Sequence, residues 1–194
     1  TLIDSDKKFC IVEAGTGVGK SAIGLTLGRY LDDYYCNKFT SEDIEYGAGT
    51  YFLTTQRILQ AQYEKDFGSP RGSMCSLYSA SNYQCSYKKG NDCRTSLQEL
   101  KTEPKGSPFF KKCAINCKYK AKKKYFLESR ESITNFPYFI LESTYSGKIT
   151  PRNVLVIDEA HNTESVLSTF VEMGISQYFA EKIIKIKWPA KITP

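Results

Sequence analysis

The sequence predicts an α/β layer fold built on a mostly parallel sheet, and three observations predict it. A short apolar run, Phe9 to Val12, leads through a glycine-rich turn into apolar residues at helical spacing: Ile23, Leu27, Tyr30, Leu31 and Tyr34. A second strand–helix unit follows, with "TYFLTT" ahead of "QRILQAQYEKDF", where Leu59, Tyr63 and Phe67 share one helical face. Val154 to Ile157 is a continuous apolar run, the pattern of a parallel strand covered on both faces. Strand–helix alternation around such strands implies an open sheet flanked by helices.

The bulk properties narrow the class. The 194 residues suffice for one well-cored domain, or for a core domain carrying a sizeable insertion. Apolar residues make up 41% and charged residues 25%, as in ordinary globular proteins. No apolar run reaches 18 residues, which leaves no candidate spanning helix and no membrane partner. "TLIDSDKKFC" lacks the charged-then-apolar order of a secretory leader. It has no initiator Met, and "KFCIVE" already reads as a core strand, so the chain reads as part of a longer protein.

The charge is uneven. Cys85 to Arg130 holds thirteen Lys/Arg against four Asp/Glu, a local balance of +9 within a total of +6, leaving the rest at −3. A basic insert on a mildly acidic body suits a polyanion, although a solvated lysine face has the same composition. Seven cysteines without a leader argue against a disulfide framework and for an intracellular location, cytoplasm or nucleus, whether the source is cellular or viral. Cys10, in "FCIV", is expected in the core, and Cys36 has no neighbouring partner. The other five fall between Cys75 and Cys117.

These patterns divide the chain. Residues 1–73 form the first part of the core domain. Residues 74–130 form an insertion of cysteines, lysines and asparagines with little core of its own. Residues 131–162 return to the domain, with "ITNFPYFILES" partly extended. Residues 163–194 are mostly helical, with Thr163 as a plausible cap.

"AGTGVGKS" fits the phosphate-loop pattern, with Ala14 where its strictest form has Gly. Residues Ala14, Gly15, Thr16, Gly17, Val18 and Gly19 would wrap the phosphates of ATP with backbone N–H groups, and the helix start adds its positive end. Lys20 reaches the β- and γ-phosphates, and the Ser21 hydroxyl is placed to ligate Mg²⁺. "VLVIDEAH" puts two carboxylates at a strand end, where ligands gather in open α/β sheets. Asp158 is the second candidate Mg²⁺ ligand, and Glu159 the base that activates the attacking water. His161, the one histidine, is read as a sensor that couples nucleotide state to the rest of the molecule. A chance glycine turn and an acidic helix start are the bland alternatives; the two motifs together weigh against both.

"EAGTGVGKS" with "VLVIDEAH" resembles motifs I and II of superfamily 2 DEAH helicases. "YFLTTQRILQAQYEKDF" looks like motif Ia of the XPD/DinG group, "NYQC" like that group's first cluster cysteine, and "CKYKAKK" like its closing cysteine with a basic helix. The resemblance spans nearly the whole chain. It implies a RecA-like P-loop motor domain with an iron–sulfur insertion, and residues 163–194 as the start of a helical arch. The implied activity is ATP hydrolysis coupled to 5′–3′ movement on single-stranded DNA and unwinding of forked duplex, as in DNA repair. A second RecA-like domain of the same chain would complete the active site, so residues 1–194 alone are expected to bind nucleotide weakly and hydrolyse it poorly.

Carried over, the resemblance makes Cys85, Cys93, Cys113 and Cys117 ligands of a [4Fe–4S] cluster, with spacing C-x7-C-x19-C-x3-C. Four thiolates also satisfy tetrahedral zinc, although only the Cys113/Cys117 pair has zinc-ribbon spacing. Cys75, outside "NYQC", is the spare. Thr54, Thr55 and Gln56 would hold the DNA backbone. Lys111, Lys112, Lys118 and Lys120 to Lys124, with Lys122 and Lys123 among them, would line the strand's path. Tyr83, Tyr87 and Tyr119 are candidate stacking partners. Two departures stand out: "SASNY" lacks the family's Gly-Arg, and Lys118 follows the closing cysteine where Pro is frequent. The rival readings are an RNA-directed DEAH helicase with a zinc insertion and a nucleic-acid-binding module with a vestigial ATPase.

Overall fold

A computed structural model describes residues 7–15, 17–38, 47–68, 74–171, 179–183, 185 and 187. Its centre is a parallel sheet of four strands: β1 (Gly47–Thr54), β2 (Met74–Leu77), β3 (Glu131–Asn135) and β4 (Arg152–Ile157). Their order is β2-β3-β1-β4. The register sets Phe52 of β1 opposite Ile133 of β3 and Val156 of β4. Thr50 to Thr54 are all buried, so β1 is the spine of the domain.

Alternation along β1 sends its side chains into two cores, because successive residues face opposite sides of a strand. Phe52 packs with Leu25 of α1 (Lys20–Lys38), Tyr63 of α2 (Arg57–Phe67), Met74 and Ile133. Tyr51 and Leu53 point the other way. They join Phe109 of α4 (Pro108–Asn116), Tyr119 and Phe126 of α5 (Lys118–Glu128), and Phe136 and Tyr138 of α6 (Phe136–Leu141). The cysteine-rich stretch, which also contains α3 (Cys93–Glu99), therefore shares the core of one sheet face. Its first four residues, Met74–Leu77, are the sheet's edge strand β2.

Helix α1 lies on the sheet through a different face from the expected one. Its buried residues are Leu25, Gly28 and Asp32, while Ile23 and Tyr30 are about half exposed. The cause is close approach. A Cβ on Gly28 would stand 3.0 Å from Thr50 Cγ2 and 3.1 Å from Phe52 Cζ. Small residues set the helix down on β1, and the bulkier apolar stripe is turned aside.

Three further expectations are corrected. Phe9 to Val12 form no strand; Phe9 and Ile11 are 90% and 94% exposed, and Cys10 is exposed rather than in the core. A parallel strand is held by its neighbours, and among the described residues β4 pairs with β1 alone. For the same reason the run Val154 to Ile157 is covered only in part, with Val154 buried and Leu155 49% exposed. "ITNFPYFILES" is partly extended, as expected: its first residues end β3, and it turns helical where Asn135 Oδ1 accepts the Tyr138 N–H at 2.8 Å, with Pro137 in the first turn of α6.

Of residues 163–194, helix α7 (Thr163–Val171) and a helical turn at Phe179–Ile183 are described, and the rest lie outside the described residues. No described helix is long and apolar enough to cross a membrane.

Candidate nucleotide and cysteine sites

The glycine-rich loop enters α1 through two left-handed residues, Gly17 (φ 80°) and Gly19 (φ 82°), a conformation that costs side-chain-bearing residues about 1 kcal/mol or more. Thr16 lies outside the described residues. A Cβ at Gly15, Gly17 or Gly19 would meet nothing within 4 Å, so the loop borders open space. Lys20 Nζ donates to Ala14 O at 3.2 Å, bridging the two ends of the loop, and stands 3.9 Å from Glu159 Oε1. Ser21 Oγ donates to Asp158 Oδ2 at 3.2 Å across 137 positions of sequence. The residues singled out from two distant motifs thus meet at one point.

Asp158 follows β4 directly, and its N–H donates to Leu53 O of β1 at 2.8 Å. Its Oδ1 accepts the Glu159 N–H at 2.9 Å. That contact helps hold Glu159 in a left-handed conformation (φ 55°), rare for a residue without Asn or Gly character. Backbone strain of this kind costs roughly 1–3 kcal/mol and gathers at functional sites. Glu159 Oε2 lies 3.2 Å from His161 Nδ1, and His161 Nε2 is 3.0 Å from Asn162 Nδ2. His161 therefore contacts the Glu159 carboxylate directly.

One participant escaped the sequence reading. The Tyr63 hydroxyl donates to Asp158 Oδ2 at 3.0 Å, the same oxygen that Ser21 holds. Burial pushes its phenol well above the ordinary tyrosine range, so it remains a donor. In sequence Tyr63 is one apolar-face residue between Leu59 and Phe67, and nothing local distinguishes its hydroxyl.

The four expected ligands converge as well. Cys85, Cys93, Cys113 and Cys117 line a single cavity of about 150 Å³, together with Tyr87, Ser96 and Lys112. Cys93 and Cys117 Sγ are 4.0 Å apart. Cys75 is not among the lining residues: it is fully buried on β2 with its Sγ toward Lys122 O, and burial raises its thiol to about 11.

Caps shape the walls. Asp92 accepts the Thr95 N–H at 2.7 Å to start α3, Ser107 accepts the Phe110 N–H at 3.1 Å to start α4, and Cys117 Sγ accepts the Lys120 N–H at 3.5 Å to start α5. The Lys88 N–H points at Cys85 Sγ from 3.3 Å. Burial pushes the Cys85 thiol up, but the N–H groups of Lys88 and Tyr87 and the nearby Ser96 hydroxyl more than offset it, leaving it below the ordinary thiol range. Burial raises Cys113, and burial beside Cys117 raises Cys93 to about 11.

Among the described residues no three His, Cys, Asp or Glu side chains stand close enough to hold one ion. An all-sulfur donor set, N–H groups aimed at two of the sulfurs and a chamber much larger than one ion fit a multi-atom, thiolate-held group.

The expected DNA contacts fare unevenly. Thr54 is buried and donates its hydroxyl to Gln56 O at 3.1 Å; Thr55 Oγ1 is buried without a partner, and Gln56 is exposed. Lys118 is exposed. Lys122 pairs with Glu64 at 3.8 Å, and Lys123 is bound to Glu142 with only 15% of its side chain exposed. Tyr119 cannot stack on a base: it is 8% exposed and its hydroxyl shares a 2.8 Å bond with Tyr138. Tyr83 is half-buried, its oxygen accepting the Tyr78 N–H at 3.2 Å. Tyr87 is 40% exposed, stacked 5.2 Å from Phe109 with Lys112 Nζ 5.3 Å from its ring centre.

No family model matches the chain, and no curated protein or solved structure is significantly similar to it.

Proposed function

We propose that the chain is the nucleotide-binding half of an ATP-driven motor on single-stranded DNA, in which a thiolate-held metal group stiffens a basic nucleic-acid surface. One observation carries the reading: Lys20, Ser21, Asp158 and Glu159 meet at the ends of β4 and the phosphate loop, with Ser21 Oγ 3.2 Å from Asp158 Oδ2. Ser21 and Asp158 would hold Mg²⁺, which would supply neutralisation of charge on the transferred phosphoryl group. Lys20 leaves Ala14 O and the vicinity of Glu159 to reach the phosphates. Glu159 then orients and deprotonates the attacking water, and His161 holds its second oxygen. A second RecA-like domain supplies the rest of the site, and the chain alone turns over ATP slowly.

The four cysteines hold a [4Fe–4S] cluster in this reading, on the strength of the motif resemblance and the shared cavity. Zinc is the second reading, favoured by one distance: the 4.0 Å between Cys93 and Cys117 Sγ is near the ~3.8 Å edge of a tetrahedron with Zn–S bonds of about 2.3 Å.

Binding of a fluorescent ATP analogue with Mg²⁺ tests the motor reading. Lys20→Ala weakens binding at least ten-fold, while Glu159→Gln keeps binding and removes residual hydrolysis. Failure of the unsubstituted chain to bind any nucleotide defeats it. Anaerobic purification decides the metal: a brown protein bleached by Cys113→Ser means a cluster, and a colourless protein with stoichiometric zinc means the alternative.

A further inference from the structure

We infer that Ser96 is a positioning residue for the cysteine cavity, and that its hydroxyl donates to a sulfur of the group held there. The inference rests on the reading of that cavity as a cluster site. Ser96 stands one helical turn after Cys93 on α3, in the lining of the chamber, and is 1% exposed. Its Oγ is buried and makes no hydrogen bond of good geometry, although it lies near enough to the Cys85 sulfur to lower that thiol.

That state is unusual twice over. A buried hydroxyl without a partner carries a desolvation cost that folded proteins avoid. A serine inside a helix also has a ready remedy, donation to a carbonyl three or four residues back, which leaves the helix nearly undisturbed. Ser96 does not take it: the Asp92 carbonyl receives the Ser96 backbone N–H at 3.1 Å, and the hydroxyl is left without a well-formed bond beside the cysteines. Ser96 is a donor held ready on the wall of a sulfur-lined chamber. The acceptor it lacks is a sulfur that carries full negative charge, which a bound cluster would supply as sulfide or as the ligated Cys85 thiolate. Hydrogen bonds to cluster sulfurs stabilise the more negative, reduced state, so Ser96 raises the reduction potential.

The experiment uses the full chain, loaded anaerobically with iron and sulfide. Ser96→Ala is expected to shift the one-electron reduction equilibrium about ten-fold toward the oxidised cluster, a fall of 59 mV, while Ser96→Thr, which keeps the hydroxyl, restores the unsubstituted value. The same Ala substitution in the metal-free chain is expected to raise Tm, because it deletes an unpaired polar atom. An unchanged potential in loaded Ser96→Ala overturns the inference alone. A metal-free Tm that falls on substitution also overturns it, by showing that the hydroxyl has a partner within the protein; this arm decides the matter even where Ser96→Ala holds no cluster. Absence of iron and sulfide from the loaded, unsubstituted chain overturns the cluster reading beneath it.

Discussion

At the scale of residues, Asp158 concentrates the chemistry: one of its oxygens takes hydrogen bonds from both Ser21 and Tyr63, and the other takes the Glu159 N–H. In the proposed nucleotide site Tyr63 would fix the carboxylate that holds Mg²⁺, so Tyr63→Phe is expected to reduce the Mg²⁺-dependent part of nucleotide affinity by about 1.5 kcal/mol, roughly ten-fold. Affinity measured without Mg²⁺ should stay the same, and equal losses in both conditions would mean a merely structural tyrosine. The convergence of Lys20, Ser21, Asp158 and Glu159 was legible in sequence, because a glycine turn and a strand end bring residues together in an open parallel sheet. Tyr63 was not, because a hydroxyl at an apolar helix position gives no local sign of where it points.

The elements show why packing decided what periodicity could not. Expected strands and helices formed where each had a partner, as with β1, α2 and α1, but the buried face of α1 was chosen by Gly24 and Gly28. Gly28→Ala drives a methyl to within 3.0 Å of Thr50 and 3.1 Å of Phe52, both buried. It is expected to destabilise by about 1–2 kcal/mol despite alanine's better helix propensity, lowering Tm. Gly24→Ala meets Val156 alone, on the edge strand β4, and should cost less.

Helix α5 is held at both ends, by the Cys117 cap and by Arg152. The Arg152 guanidinium donates to Phe126 O and Leu127 O at 3.2 and 3.0 Å and lies 4.0 Å over the Tyr51 ring. Lys123 of α5 also holds the Glu142 carboxyl below its ordinary range, against the upward push of burial. A depressed carboxyl pKa stabilises the fold above the unfolded value near 4.5, and that stabilisation is lost as pH falls through the folded value. Lys123→Met should therefore move the acid-unfolding midpoint, followed by circular dichroism, to higher pH.

For the whole molecule, the same ion pairs sort the basic surface. The +9 balance of residues 85–130 was readable from composition, but not which lysines are already engaged. Single-stranded DNA binding should weaken with salt, and Lys118→Ala should lower the slope of log K against log salt by about 0.7, the value for one lost phosphate contact. Lys123→Ala should leave the slope unchanged, since that ammonium is bound to Glu142. A slope that responds to Lys123 and ignores Lys118 would reverse this map. Phe9 to Val12 teach a related lesson: a strand is an agreement between neighbours, and an apolar run cannot announce whether the neighbour is there.

The cysteine chamber follows the opposite course. Its walls are set by carboxylate, hydroxyl and sulfur caps and by the core shared with β1. The same core cluster holds Tyr51 and Leu53 of β1 and Cys93, Cys113 and Cys117 of the chamber. Because packed interiors transmit strain, the sheet and the spacing of the sulfurs are mechanically one unit.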